Sequence, residues 1–411
     1  MKILIVSASD INGGAHKAAY RLHRSLINNG IDSLMLVQNK ISDDYTVVGP
    51  TSSLRKHLIN PLRPALDHIL MKFNNAVNLF SSSYLPFSEI VRQINEINPD
   101  IVHLHWIAGG MVRIEDIAKI KPPVVWSLHD MWAFTGGCHY DNHCGLYKEN
   151  CGNCKSLGRK KNNDLSRQVF KRKLKSYSQI NDLMVVATSR WIGECAKNST
   201  LLKNRKIVNL PNPIDIDLFS PIDKNIARDV LGVPKDKKVV LFSALGSLSD
   251  PRKGAQKLFQ AINMLEVSNT VFLIAGSSKP EVQPKLKYPA YFIAPLRDEI
   301  SLPLMYNAAD LMIAPSLQEN LANSIIENMA CGVPVVAFDI GGNRDMIDHK
   351  KNGYLAEAIV PADLARGIEW ALKDRTLREL SKNARIKAKK FDSKVVSRQY
   401  IDLYKGILKN L

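Results

Sequence analysis

Short apolar runs alternate along this chain with longer stretches in which apolar residues recur at helical spacing. Runs at residues 2–7, 33–37, 45–48, 100–105, 123–129, 183–188 and 207–210 read as strands. Between the first two, Ala18, Ala19, Leu22 and Leu26 mark one face of a helix over 14–29 that Gly30 stops. Helices are likewise expected over 88–98 and 190–198. A segment with three prolines, 211–221, interrupts the alternation. It then begins again, with strands at 238–244, 271–276, 291–294, 310–314, 335–338 and 352–355. Helices are expected from near Ala322 to Gly332 and over 361–373, 377–390 and 393–411. Strand–helix alternation of this kind predicts an α/β chain, and 411 residues are enough for two domains. The pattern divides the chain into residues 1–210, a linker 211–221, a second domain 222–391 and a C-terminal helix 392–411.

The stretch from Pro315 to Val336 carries the most chemistry. The apolar run 310–314 stops at Pro315, a polar loop follows, and Asn320 or Asn323 is available to cap the next helix. Gly332 ends that helix and Pro334 prevents its return. Glu319 stands in the loop and Glu327 about a turn and a half into the helix. The backbone N–H groups of Asn320, Leu321, Ala322 and Asn323 lie between them, where the helix dipole favours an anion such as a phosphate. A carboxylate beside that anion accepts hydrogen bonds from sugar hydroxyls. The arrangement fits a phosphate with sugars on both sides, a nucleotide sugar. The plainer alternative is a surface helix with two solvated glutamates.

Glu319-x7-Glu327 followed by Ala330-Cys331-Gly332-Val333-Pro334-Val335-Val336 resembles the signature of retaining glycosyltransferases with the GT-B fold, family four. The resemblance covers most of the chain and is strongest from residue 239 to 356. It implies two Rossmann-like doubly wound domains facing a cleft, the first for the acceptor and the second for the donor, with the C-terminal helix crossing back to the first. It implies that Glu319 and the backbone of Asn320, Leu321 and Ala322 hold the donor sugar and diphosphate, and that Glu327 holds the ribose. The Gly13-Gly14 turn would lie between donor phosphate and acceptor, and a strand–glycine turn–helix does bring N–H groups up to a phosphate. His129, at the C-terminal end of a strand, would hydrogen-bond the donor sugar. His103 and His105 share one face of their strand, where buried structural histidines are common.

Lys253 matches the family's lysine that neutralises the departing diphosphate. The usual arginine just after the strand is missing, since Gly246-Ser247 stands there, and Arg252 is the substitute. Leu296, between Pro295 and Arg297, lies where the family's backbone meets the nucleobase. Asp215-x-Asp217 sits in the linker, and the family needs no metal for catalysis. The resemblance therefore implies retaining transfer of a sugar from a nucleoside diphosphate, UDP first and GDP second, without a covalent enzyme nucleophile. The implied acceptor is a lipid-linked oligosaccharide. The run His129-Asp130-Met131-Trp132 followed by a cysteine-rich segment resembles a subgroup found in bacterial surface-polysaccharide synthesis.

Composition adds partners rather than a fold. Hydrophobic content of 45% and charged content of 23% are ordinary, whereas the formal charge of +17 favours anionic partners. Nucleotides, polyprenyl diphosphates, anionic lipids and nucleic acids all qualify. No apolar run approaches the roughly 18 residues that span a bilayer, and residues 1–7 are too short for an export signal. A cytoplasmic protein, peripheral on the anionic inner leaflet, is expected. Residues 55–80 mix leucines with basic side chains and read equally as an interfacial helix or an ordinary packed excursion. Residues 155–175 hold nine Lys or Arg against Asp164, either a solvated face or a contact for anionic lipid.

The insert 135–155 holds Cys138, Cys144, Cys151 and Cys154, four of the six cysteines. Disulfides are disfavoured in a reducing compartment, so the choice lies between a structural zinc knuckle and a loop of reduced thiols. Two other functions remain open at this point. A nucleotide-sugar epimerase uses the same fold, and a zinc-bearing nucleic-acid binder fits the charge and the cysteines. The second leaves Glu319 and Glu327 without a purpose, so no nucleic-acid partner is expected. A catalytically dead sugar-binding relative is also compatible with Gly246-Ser247.

Overall fold

The computed structural model describes residues 1–72, 79–86, 88–158, 161–243, 248, 250–276, 285–296 and 298–410. Among them the strands form two all-parallel sheets, seven-stranded and six-stranded. The first holds β1 (Lys2–Ser9), β2 (Asp32–Asn39), β3 (Val47–Val48), β4 (Ile101–Leu104), β5 (Val124–Leu128), β6 (Leu183–Ala187) and β7 (Lys206–Asn209), in the order β3-β2-β1-β4-β5-β6-β7. The second holds β8 (Lys238–Ser243), β9 (Thr270–Ala275), β10 (Ala290–Ile293), β11 (Leu311–Ala314), β12 (Val335–Phe338) and β13 (Gly353–Ala356), in the order β10-β9-β8-β11-β12-β13. Every strand expected from the apolar runs is present, most within two residues at each end.

Parallel sheets need both faces covered, and alternation along each strand shows that they are. On β1, Leu4 and Val6 join one buried cluster while Ile3 and Ile5 join another. On β8, Val239 and Leu241 point to one cluster and Val240 and Phe242 to the other. The chain divides into two compact units, residues 1–213 with 396–411, and residues 214–395. The helix Ser393–Lys409 supplies the first unit with Val396, Tyr400, Ile401 and Tyr404, which pack with Ile3, Ile5 and Leu22. Residues 214–219 of the proline-rich segment belong to the second unit. Ile214 and Phe219 are fully buried there, and Arg385 donates to the carbonyls of Ile216 (3.1 Å) and Phe219 (2.8 Å).

Both strand orders reverse direction at one place, between β1 and β4 in the first sheet and between β8 and β11 in the second. Loops leaving the carboxyl ends of such strand pairs diverge and leave room for a ligand. His16, Trp106, Lys253 and Glu319 follow those strands.

Candidate active site

In the second unit, the loops after β8 and β12 are each locked to the loop after β11 by a glycine. Gly254 has φ +73°, and a Cβ there would stand 1.9 Å from the Pro315 carbonyl oxygen. Gly341 has φ +49°, and its Cβ would stand 1.8 Å from the Glu319 carbonyl oxygen. Only glycine permits both the backbone conformation and the approach. The Leu317 N–H donates to the Arg252 carbonyl (2.7 Å), completing the link between the loops.

That link places Lys253 Nζ 2.7 Å from Glu319 Oε2. The Lys253 side chain is 23% exposed and Glu319 13%, so the pair sits at the edge of solvent. Burial pushes the Glu319 carboxyl up, but Lys253, the Arg252 charge and the Asn320 N–H (3.3 Å) hold it below the usual range. Arg252 is oriented by Asp250, whose carboxylate accepts from its guanidinium (2.6 Å) and its N–H (3.0 Å). The helix that follows runs Asn323–Ala330 with Ala322 at the capping position and no side-chain cap. The expected Asn320 or Asn323 cap is therefore absent. Asn320 and Leu321 are buried, and Leu296 packs half-buried against the same core as Leu321.

Glu327 lies beyond Glu319, in the helix Asn323–Ala330. It is buried within the helix, where Oε2 accepts from the Tyr306 hydroxyl (2.7 Å). Residues 246–247 and Arg297, on which part of the sequence argument rests, lie outside the described residues.

The first unit carries a histidine constellation at its own switch point. Gly13, with φ +110°, starts the helix Gly14–Asn28, which places His16 in the first turn. His16 Nδ1 lies 2.7 Å from Ser7 Oγ and its ring meets Trp106 edge-on. His129, just past β5, pairs through Nε2 with His105 Nδ1 (2.8 Å), the two rings stacked. His103 is fully buried and spans Tyr404 (2.7 Å) and Ser127 (2.8 Å). Burial pushes His16 and His129 down to about 4 and His103 to about 3, so these imidazoles are neutral near pH 7. Among the described residues, His105 Nε2 is buried without a partner.

Three contributors were not read from the sequence. Asp130 accepts from Trp106 Nε1 (2.8 Å), from the Trp132 N–H (2.8 Å) and from His139 Nδ1 (2.7 Å). His139 also stacks on Trp106 and reaches Ser81 Oγ (3.0 Å). His16 was legible only as a polar residue two places after a glycine pair. His139 lay inside the cysteine-rich insert, where metal binding drew attention from it.

The cysteine-rich insert follows in sequence. Among the described residues no group of three or more His, Cys, Asp or Glu side chains is placed to hold a metal ion. Cys138, Cys144, Cys151 and Cys154 are free thiols, and burial raises all four above the ordinary cysteine value, Cys151 to about 12. Their loop folds back so that the Met131 N–H meets the His139 carbonyl (2.9 Å), bracing the turn that carries His129 and Asp130. The basic run that follows is not a uniformly solvated face either. Its helix, Leu165–Tyr177, is capped by Asp164 and buries Lys173, which donates to the carbonyls of Trp132 and Thr135. Asp215 accepts from the N–H groups of Asp217 and Leu218 (3.0 Å each), a turn rather than a metal site.

Comparison with known proteins identifies the family. The description Glycosyltransferase Family 4 matches residues 12–218, and Glycosyl transferases group 1 matches residues 223–391. An uncharacterized glycosyltransferase of Methanocaldococcus jannaschii is 25% identical over 82% of this chain and 91% of its own length. The N,N'-diacetylbacillosaminyl-diphospho-undecaprenol alpha-1,3-N-acetylgalactosaminyltransferase of Campylobacter jejuni is 25% identical over 53% of this chain and 59% of its own. The UDP-Gal:alpha-D-GlcNAc-diphosphoundecaprenol alpha-1,3-galactosyltransferase of Escherichia coli is 27% identical over 44% and 49%. Sucrose-phosphate synthase from Thermosynechococcus elongatus shares the fold over all of both chains, with a TM-score of 0.73 at 20% identity. Anabaena HepE in complex with UDP-glucose does so over all of both chains, with a TM-score of 0.66 at 19% identity. With its parallel sheets, its loop-borne Lys253–Glu319 pair and these matches, the chain belongs to the glycosyltransferases of the two-domain GT-B fold, its first half to Glycosyltransferase Family 4 and its second to group 1.

Proposed function

We propose that this glycosyltransferase moves a sugar, with retention of anomeric configuration, from a nucleoside diphosphate to a lipid-linked glycan. The observation that carries the donor reading is the Lys253–Glu319 ion pair at the switch point of the second sheet. A carboxylate held ionised beside an ammonium is suited to a ligand that is at once polyhydroxyl and anionic. The sugar hydroxyls donate to Glu319, while Lys253, with Arg252 near it, meets the diphosphate. As the bond from the sugar anomeric carbon to the diphosphate oxygen breaks, the acceptor oxygen bonds that carbon on the same face. The hydroxyl proton passes to the leaving phosphate, so no enzyme nucleophile is needed. Neutral His129 hydrogen-bonds the donor sugar, the Gly13-Gly14 turn lies against the phosphates, and Glu327 fixes the ribose. The base is met by backbone near Leu296, UDP being the first choice and GDP the second. HepE, of the same fold, is named as a complex with UDP-glucose. The C. jejuni and E. coli relatives are named for diphospho-undecaprenol acceptors, which favours a lipid-linked acceptor and peripheral work at the cytoplasmic face of a membrane.

The test is a thermal-shift series with UDP, GDP, ADP and a short oligonucleotide, on wild type and Lys253→Ala. Selective stabilisation by one diphosphate, weakened in the variant, is the expected result. Stabilisation by the oligonucleotide alone would overturn the donor reading. Proton NMR of the product then reads retention from the anomeric coupling, and an inverted product refutes that part.

A further inference from the structure

A packed surface helix normally turns its apolar stripe inward and its charges to water. The helical segment over residues 55–72 does the reverse. Arg55–Ile59 is wound wide, the Asn60 N–H reaching the Arg55 carbonyl, and runs on into the helix Asn60–Lys72. Its inward contacts are polar. Arg63 is buried and donates to the carbonyls of Gly110 (2.7 Å), Pro86 (3.0 Å) and Leu85 (3.2 Å). Asp67, one turn on and also buried, accepts from the Ser82 hydroxyl (2.9 Å) and the Ser83 N–H (2.8 Å).

The outward side is apolar. Leu54 is 60% exposed, Leu58 54%, Leu62 49%, Leu66 45% and Ile69 41%. Spaced by four, four, four and three residues, these side chains form one continuous stripe. Lys56, His57 and His68 flank it in the open, and the single carboxylate between residues 54 and 72 is the buried Asp67. Ser82-Ser83, which hold Asp67, also receive Arg172 at their carbonyls (3.0 and 2.9 Å). Arg172 belongs to the helix Leu165–Tyr177, which exposes Lys171, Leu174 and Lys175. The apolar stripe and a basic patch are thus built on the same two residues.

We propose that the stripe from Leu54 to Ile69 is an interfacial docking surface for an anionic lipid bilayer. The leucines enter the boundary between headgroups and acyl chains, and Lys56, Lys171 and Lys175 meet the lipid phosphates. Charge selects this occupant: a second copy of a chain carrying +17 would bring like charge against like, whereas an anionic leaflet complements it. The inference deepens the peripheral placement proposed above and rests on it.

Flotation with vesicles tests it, using phosphatidylcholine alone and phosphatidylcholine with phosphatidylglycerol at about three to one. The full chain is compared with Leu58→Ser/Leu62→Ser/Leu66→Ser, substitutions at exposed positions, and with Lys56→Glu. Wild type is expected to float with the anionic vesicles, and the triple variant to bind them about tenfold more weakly or worse. Lys56→Glu should weaken binding to anionic vesicles alone. Equal flotation of wild type and triple variant overturns the proposal, and so does a wild-type dimer in solution that the triple variant makes monomeric. The UDP and GDP thermal shifts, run without vesicles, separate this surface from the donor site. Lost flotation with an intact nucleotide response condemns neither the enzyme nor its fold, and intact flotation without any nucleotide response overturns the donor reading alone.

Discussion

Replacing Gly254 with alanine should damage the donor loop far more than its size implies, and Gly332→Ala provides the scale. Both glycines lie in the left-handed region, φ +73° and +78°, so alanine strains the backbone similarly at each, by about 1–2 kcal/mol. At Gly332 the new methyl meets Pro221 at 3.7 Å, an ordinary contact, and nothing further is lost. At Gly254 it would lie 1.9 Å from the Pro315 carbonyl oxygen, so the two loops must part by about 1.5 Å to restore van der Waals distance. That separation breaks the hydrogen bond from Leu317 to Arg252 and draws Lys253 away from Glu319. The lost hydrogen bond and weakened pair add roughly 1–3 kcal/mol, for a total of about 2–5 kcal/mol. At about 3 °C per kcal/mol for a unit of this size, melting should fall by about 3–6 °C for Gly332→Ala and about 6–15 °C for Gly254→Ala. A displacement of about 1 Å at the reacting centre is also expected to cost roughly a hundredfold in sugar transfer, which Gly332→Ala should spare. Differential scanning fluorimetry and donor turnover read the two effects. Equal melting temperatures and equal turnover in the two variants would refute the argument that Gly254 clamps the loops.

Lys173 is pushed down to about 7 by burial, below its value in an unfolded chain. From pH 7 upward the unfolded chain therefore binds the extra proton, and stability should rise with pH through this group. Urea unfolding at pH 7 and pH 9 should show a shallower rise in Lys173→Met, and parallel slopes would refute it. His103, held at about 3 against an ordinary 6.5, acts in the acid range. Stability is present above pH 6.5 and is lost as pH falls toward the folded value, so the advantage of wild type over His103→Gln should shrink between pH 7 and pH 4. A constant difference in urea midpoint would contradict it. Metal analysis tests the insert: stoichiometric zinc, removed by a strong chelator with a fall in melting temperature, is the result expected of a structural zinc knuckle, and no zinc with an unchanged melting temperature refutes it. In the native state a thiol reagent should label the half-exposed Cys144 and Cys195 before the buried Cys138, Cys151, Cys154 and Cys331.

The strands were legible because parallel strands buried on both faces are written as unbroken apolar runs, as in Val335–Phe338. Lys253 and Glu319 were legible as members of a motif, but the reason they meet was not. It lies in Gly254 against Pro315 and Gly341 against Glu319, contacts across 61 and 22 positions of sequence that no local pattern encodes. The cysteine insert was legible only in part, for a related reason. Spacing reports which thiols are near in sequence, whereas only the fold shows that Cys138 lies within electrostatic reach of Cys144, Cys151 and Cys154. The basic run concealed Lys173 in the same way, since one lysine among nine basic residues gives no sign that it faces inward. In the segment over 55–72 composition was neutral between two readings. Only the burial of Arg63 and Asp67 shows which side of the helix faces the protein.

The return of the last helix to the first unit has a consequence for how the chain is made. Tyr404 fills the core beside Ile3 and Ile5 and hydrogen-bonds His103, yet it is translated some three hundred residues after that histidine. Domains ordinarily complete in the order in which they leave the ribosome. Here residues 214–395 have all they need before residues 396–411 exist, while residues 1–213 must wait with part of one face of their sheet uncovered. The second unit should finish folding first, and a premature stop late in the message would unfold the beginning of the protein rather than its end.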